Sequence, residues 1–231
     1  MKFTKKLTPM VIAGTMAASA FMAAPITAQA DASASVAVSN MYLWRGTNLS
    51  PDGGVVSGSL DYSHESGFYA GVWGTSEYQG TETDLYLGFG GKVSDFSYDV
   101  SYWNYLYPEE RTSGGAQIDL GKSDAAEYVV SLGYGPGTFT AYINADSDND
   151  DNKYFTLSGE FGKFTATYGW WDLEFPNAAG ADEYSHITLG YAATDELSFA
   201  LSKANSDRTD KLGVEEDPLF SVTWAKSFDL K

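Results

Sequence analysis

Cysteine is absent from the 231-residue chain, which excludes disulfides and thiolate metal centres and leaves packing and backbone pairing to supply stability. Histidine occurs only twice, as His64 and His186. Bases are scarce as well: 14 Lys and Arg stand against 31 Asp and Glu, for a formal charge of −17. That imbalance argues against nucleic acid and against unaided binding to anionic lipid, and it favours cations as partners. Beyond the N-terminus no run approaches the roughly 20 apolar residues of a membrane-spanning helix, so a membrane protein of this composition would have to cross with strands.

The one long apolar stretch, Pro9 to Ala24, follows Lys2, Lys5 and Lys6 and precedes the small-residue site Ala28-Gln29-Ala30. This is the three-part plan of a secretory signal peptide over residues 1–30, with cleavage expected before Asp31 and one domain over 31–231. Three of the bases and none of the acids lie in that segment, so the exported part is more acidic than the whole.

What the rest of the chain has is alternation. Val56, Gly58, Leu60 and Tyr62 share one strand face while Ser57, Ser59, Asp61 and Ser63 share the other, because successive side chains of a strand point oppositely. The same pattern predicts strands at 35–44, 55–64, 67–77, 82–92, 96–107, 126–135, 138–147, 153–161, 164–173, 184–193, 196–204 and 218–229. Five links are tight and turn-forming, among them Pro136-Gly137 and Gly162-Lys163. Longer links alternate with them, and Pro108 to Asp124 is the longest and the candidate for an inward plug. Short and long links in rotation over about 12 half-apolar strands predict an all-β fold, an antiparallel transmembrane barrel with both termini at the short-turn side.

Alternation alone leaves the inner face open, since a secreted β-sandwich also alternates. Twelve closed strands enclose more width than apolar side chains fill, so apolar residues outside and polar residues inside fit better. Strand parity then puts Trp73 and Trp103 inside. Aromatic residues near strand ends, Trp44, Phe68, Tyr78, Phe96, Tyr105, Tyr107, Trp170, Trp171 and Phe228, suit two interfacial girdles.

The segments Tyr42-Leu43-Trp44-Arg45-Gly46, Val56 to Tyr62, Gly67 to Gly74, Glu82-Thr83-Asp84-Leu85-Tyr86 with Gly88, Phe96 to Val100, and Tyr105-Leu106-Tyr107-Pro108 carry a resemblance. In their order and spacing the chain resembles the TorF family of outer-membrane porins, densely in its N-terminal half and by spacing and strand character from about Glu127. The resemblance implies an outer-membrane barrel with an inferred transport role, and it brings no catalytic residue and no ligand.

Parity puts Asp61, Asp84, Asp99, Glu127 and Glu160 on the polar face, with Glu82 and Asp146 near strand ends and Lys203 as one of its few bases. Carboxylates around a lumen concentrate cations and repel anions; the competing reading has them bonded to tyrosine hydroxyls or bases in a plugged lumen. Arg45, at the top of the first strand, is expected either to line the lumen, paired with Asp61, or to meet lipopolysaccharide phosphate at the rim. Asp146 to Asn152 opens like a calcium loop, but Asp151 and Leu157 stand where glycine and the bidentate glutamate belong, so a solvated loop is expected and no metal site. Ser185 and His186 are strand neighbours pointing apart and make no nucleophile and base pair, which weighs against an outer-membrane lipase. The sequence therefore predicts a non-enzymatic porin-like channel of the bacterial outer membrane, without cofactor. It would pass small hydrophilic solutes, cationic or neutral, among outer-membrane lipid and lipopolysaccharide. A closed structural or binding barrel is the alternative.

Overall fold

The structure, a computed structural model, describes residues 31–51, 53–77, 80–107, 125–145, 152–172, 184–206 and 217–230. The expected signal peptide, the loop 108–124 and the acidic run 146–151 lie outside the described residues. In chain order the strands are β1 Asp31–Ser39, β2 Leu43–Trp44, β3 Thr47–Asn48, β4 Val55–Ser63, β5 Phe68–Glu77, β6 Gly80–Val93 and β7 Phe96–Leu106, then β8 Ala125–Tyr134, β9 Gly137–Asn144, β10 Lys153–Phe161, β11 Phe164–Asp172, β12 Tyr184–Ala192, β13 Leu197–Ser206 and β14 Leu219–Leu230. All but β2 and β3 form one closed antiparallel barrel of twelve strands in sequence order. β1 closes it, pairing Ala32 with Leu230 on β14 and Asp31 with Ser63 on β4. Closure leaves no unpaired strand edge.

One rim carries the short turns and both ends of the barrel sequence. Gly135 and Gly162 sit there with φ of 57° and 66°, and Ser94 with φ 57°, the left-handed geometry that matches tight hairpins to strand twist. The opposite rim carries the longer connections, with one exception to the expected rotation. Glu77 pairs with Gly80, so β5 and β6 are joined there through only two residues.

The four leucines most diagnostic of orientation face outward: Leu60, Leu87, Leu132 and Leu157 are 51%, 51%, 46% and 56% exposed. The interior instead holds Trp73, Tyr86, Trp103, Tyr142 and Tyr154 with Thr140, Thr156, Thr188 and Ser202. An apolar-cored sandwich is thereby excluded, and Trp73 and Trp103 stand on the inner face that parity assigned to them. The outer wall carries stacked rings such as Phe155 on Trp170 and Phe164 on Tyr191. Of the expected girdle residues, Phe68, Phe96 and Phe228 are exposed, whereas Trp44, Tyr105 and Trp171 pack against the lumen cluster, and Tyr78 lies outside the described residues.

The first predicted strand, 35–44, is the element that differs most. β1 begins earlier, at Asp31, and ends at Ser39. Asn40 explains the exit. Its side-chain amide donates to the Phe220 carbonyl at 3.0 Å and its side-chain oxygen accepts the Val222 N–H at 2.7 Å. The side chain thus continues the pairing with β14 while the backbone turns inward. β2 and β3 then form a small hairpin inside the barrel.

Candidate functional site

The inserted hairpin turns on Arg45 and Gly46, between the pairs Leu43–Asn48 and Trp44–Thr47. Both turn residues have positive φ, 46° and 88°, as a tight two-residue hairpin requires. Glycine adopts that region freely, and at Gly46 a Cβ would also stand 2.5 Å from Cγ of His186. Arginine adopts it at an expense of about 1–2 kcal/mol. Wall contacts compensate, including a hydrogen bond from the Tyr184 hydroxyl to the Arg45 carbonyl at 3.3 Å.

Five consecutive strands, β8 to β12, each present one large side chain to this turn near the long-loop rim. From β8, Glu127 takes the Arg45 guanidinium in a two-pronged ion pair, Nη1 to Oε1 at 2.9 Å and Nη2 to Oε2 at 2.5 Å. From β9, β10 and β11, Tyr142, Tyr154 and Trp171 place their ring centroids 4.6, 4.6 and 4.8 Å from the guanidinium carbon, and Trp44 of the hairpin adds a fourth ring at 4.5 Å. From β12, the Tyr184 ring packs on Trp171. A planar, weakly hydrated cation against a forked carboxylate and aromatic faces is a strong pairing. Arg45 is 3% exposed and Tyr142 and Tyr154 are 0% exposed.

Further wall residues hold this cage. The Tyr105 hydroxyl donates to Glu127 at 2.8 Å. The Tyr154 hydroxyl meets Nε2 of His186 at 2.6 Å, and Nδ1 of His186 meets Oγ1 of Thr188 at 3.0 Å. Elsewhere the hairpin segment reaches other walls. The Tyr42 ring packs on Trp73 and its hydroxyl donates to Glu82 at 3.4 Å, while Leu43 packs with Ala200 and Leu219. Contact with β5, β6, β8 to β11, β13 and β14 means that the segment spans the lumen at this level.

Nearer the short-turn rim two aspartates are reached by a reciprocal device. The register aligns Asp61, Gly71 and Tyr86 across β4, β5 and β6, and Tyr69 and Gly88 across β5 and β6. Tyr86 lies over Gly71 and donates to Asp61. Tyr69 lies over Gly88 in the opposite direction and donates to both oxygens of Asp99, at 3.0 and 2.9 Å. A side chain at either glycine would occupy the space of a tyrosine ring.

The predicted site residues are therefore dispersed. Asp61 also accepts from Ser59 at 2.6 Å, so the expected pairing of Arg45 with Asp61 is replaced by pairing with Glu127, because the chain leaves the wall at Asn40 and carries Arg45 across the lumen. Asp84 is buried on the same face of β6 as Glu82 and Tyr86. Glu160 has the parity of Tyr154 but sits exposed at the short-turn rim. Lys203 shares the outer parity of Leu201 and not the polar face, since β13 alternates Ser198, Ala200 and Ser202 inward. His64 lies in the turn after β4, bonded to Ser66 at 2.9 Å. Among the described residues no cluster of His, Asp and Glu has metal-ligand spacing. Tyr142, Tyr154, Trp171 and Tyr184 were not among the expected site residues; each lies within about two residues of a strand's long-loop end.

Three solved structures are similar in fold. A KdgM porin matches at TM-score 0.48 and 9% identity, over 86% of this chain and 99% of that one. OccAB2 and OccAB3 of Acinetobacter baumannii both match at TM-score 0.39, with 13% and 12% identity, over 85% and 84% of this chain and 60% of each of theirs. No curated protein matches the chain. A family model described as a bacterial protein of unknown function matches residues 23–214, so the chain belongs to that family, Gcw_chp.

Proposed function

We propose that this barrel lies in the bacterial outer membrane and is a narrow porin-like channel for small hydrophilic solutes, cationic or neutral, whose long-loop mouth is occupied by the hairpin carrying Arg45. The observation that carries this reading is the inversion of polarity: leucines ring the outside while Asp61, Asp84, Asp99 and Glu127 face the lumen. Lipid and lipopolysaccharide are then the neighbours of the outer wall, in keeping with the resemblance to TorF porins. Solutes would move by diffusion past serine and threonine hydroxyls, with the half-buried carboxylates of Asp61 and Asp99 favouring cations. Nothing in this route needs covalent chemistry; the ring nitrogens of His186 meet Tyr154 and Thr188, and among the described residues no carboxylate is bonded to them.

The seated hairpin favours a second reading, a closed barrel that serves as a structural or binding element. Planar-bilayer recordings in a salt gradient separate the two. The channel reading expects stepwise conductance with a reversal potential of cation preference, which rises when the hairpin is removed. A silent bilayer for both the intact and the hairpin-deleted protein, or anion preference, contradicts it.

A further inference from the structure

Arg45 occupies a cage that the barrel wall builds largely without it. Glu127, Tyr142, Tyr154 and Trp171 come from four different strands, and Tyr105 and His186 hold two of them in place through hydrogen bonds of 2.8 and 2.6 Å. Tyr154 also packs on both Tyr142 and Trp171, at centroid distances of 5.3 and 5.0 Å. The wall therefore presents a carboxylate fork flanked by aromatic faces, whatever fills it. That chemistry selects a guanidinium: both carboxylate oxygens are used at once and the rings take the flat faces of the cation. A compact ammonium fits one oxygen and gives up more hydration.

The present occupant is held by the cage in a strained turn. It stands at φ 46° on the tip of a turn, in a hairpin with two register pairs, and a two-stranded hairpin by itself is at best marginally stable. The segment stays in the lumen because of what it touches there, foremost the cage. A free guanidinium that took the cage would satisfy Glu127, relieve the turn and remove the hairpin's strongest contact, leaving Tyr42 on Trp73 and Glu82 and Leu43 on Ala200 and Leu219 to hold it.

We propose that the cage is a guanidinium-recognition site with Arg45 as its resident occupant, and that a solute bearing a guanidinium group exchanges with Arg45 and releases the hairpin from the mouth. Recognition stands on the cage alone; the opening of a path rests on the channel reading above.

The test uses the full barrel, folded in detergent for binding and in planar bilayers for conductance, with free L-arginine as probe and L-lysine as control. Arg45→Ala empties the cage. Its tryptophan emission is expected to respond to arginine at about tenfold lower concentration than to lysine, and adding Glu127→Gln abolishes that preference. In bilayers, arginine raises the conductance of the intact protein, and lysine at equal concentration does not. Equal responses of the emptied cage to arginine and lysine, or none to either with the strand signature in circular dichroism intact, overturn the site. If Arg45→Ala does not fold, Arg45→Gln takes its place, because it keeps a polar side chain of similar reach at the turn and removes the guanidinium without altering a cage residue. Selective binding without conductance in any variant upholds the site and overturns the channel reading; conductance that ignores arginine overturns exchange and leaves the channel reading standing.

Discussion

Toward the long-loop rim the lumen is dry: Tyr142 and Tyr154 are wholly buried and Arg45 is 3% exposed. Toward the short-turn rim Ser59, Asp61, Asp99, Ser158 and Thr167 are all half-buried. The two halves use different chemistry on the same twelve strands. The dry half relies on a buried ion pair and ring contacts, which are strong only while every partner is present. The wetter half relies on hydroxyl pairs, Ser35 with Ser59 at 2.7 Å and Ser158 with Thr167 at 3.0 Å, and on tyrosines bonded to aspartates that water still reaches. Small side chains bonded across neighbouring strands line the wetter half, and large rings crowd the level of the hairpin. Polarity alone therefore does not decide whether this barrel is open, because the closing element comes from the chain between two wall strands.

If the dry half depends on its ion pair, Glu127→Ala has the largest effect. It leaves a buried guanidinium without its counter-charge, at an expense of about 3–5 kcal/mol to the seated hairpin. The expected readout is a trypsin fragment ending at Arg45, identified by mass, which the intact protein does not yield. Resistance at that bond in the folded variant would erase the distinction between the halves. In the wetter half, Tyr86→Phe is expected to lower stability in urea by about 1 kcal/mol and no more, since Ser59 and water still serve Asp61; a loss as large as that of Glu127→Ala would mean that this half is as tightly coupled as the other.

The fold was legible because period-two alternation survives wherever one face meets an apolar medium and the other does not. Even the inner positions of Trp73 and Trp103 followed from parity. The hairpin was not legible, for two reasons. Met41 to Trp44 continues the strand pattern of residues 35–39, and the feature that ends the wall strand, the Asn40 side chain pairing with β14, depends on a partner about 180 residues away. The turn was hidden as well, because arginine is an unusual residue for a left-handed position. The partnership of Arg45 with Glu127 spans 82 residues and exists only once the barrel has closed. By contrast, the crossed tyrosines left a trace in Tyr69-Ala70-Gly71 and Tyr86-Leu87-Gly88, two copies of one spacing that the two-residue link after Glu77 sets in register.

The smallest effect belongs to the short-turn rim. Glu196, in the turn before β13, accepts from Lys226 at 2.9 Å and from the Trp224 indole at 3.2 Å. These bonds, that of Lys226 first, hold its carboxyl below the ordinary value. A lowered folded pKa gives stability that is present above the unfolded value and lost as pH falls through the folded one. Glu196→Gln should therefore lower the calorimetric melting midpoint slightly at neutral pH, with the difference vanishing in acid; a difference that grows in acid would reverse the sign of this account.

Every step rests on the outward aim of the leucines, and the absence of native cysteine makes that directly measurable, since any introduced thiol is unique. Single cysteines at Leu60, Leu87, Leu132 and Leu157, spin-labelled in the barrel reconstituted into lipid vesicles, are expected to show high collision rates with oxygen and low rates with a water-soluble nickel chelate. Labels shielded from both reagents would place those side chains in a dry protein centre and contradict the barrel as a membrane channel.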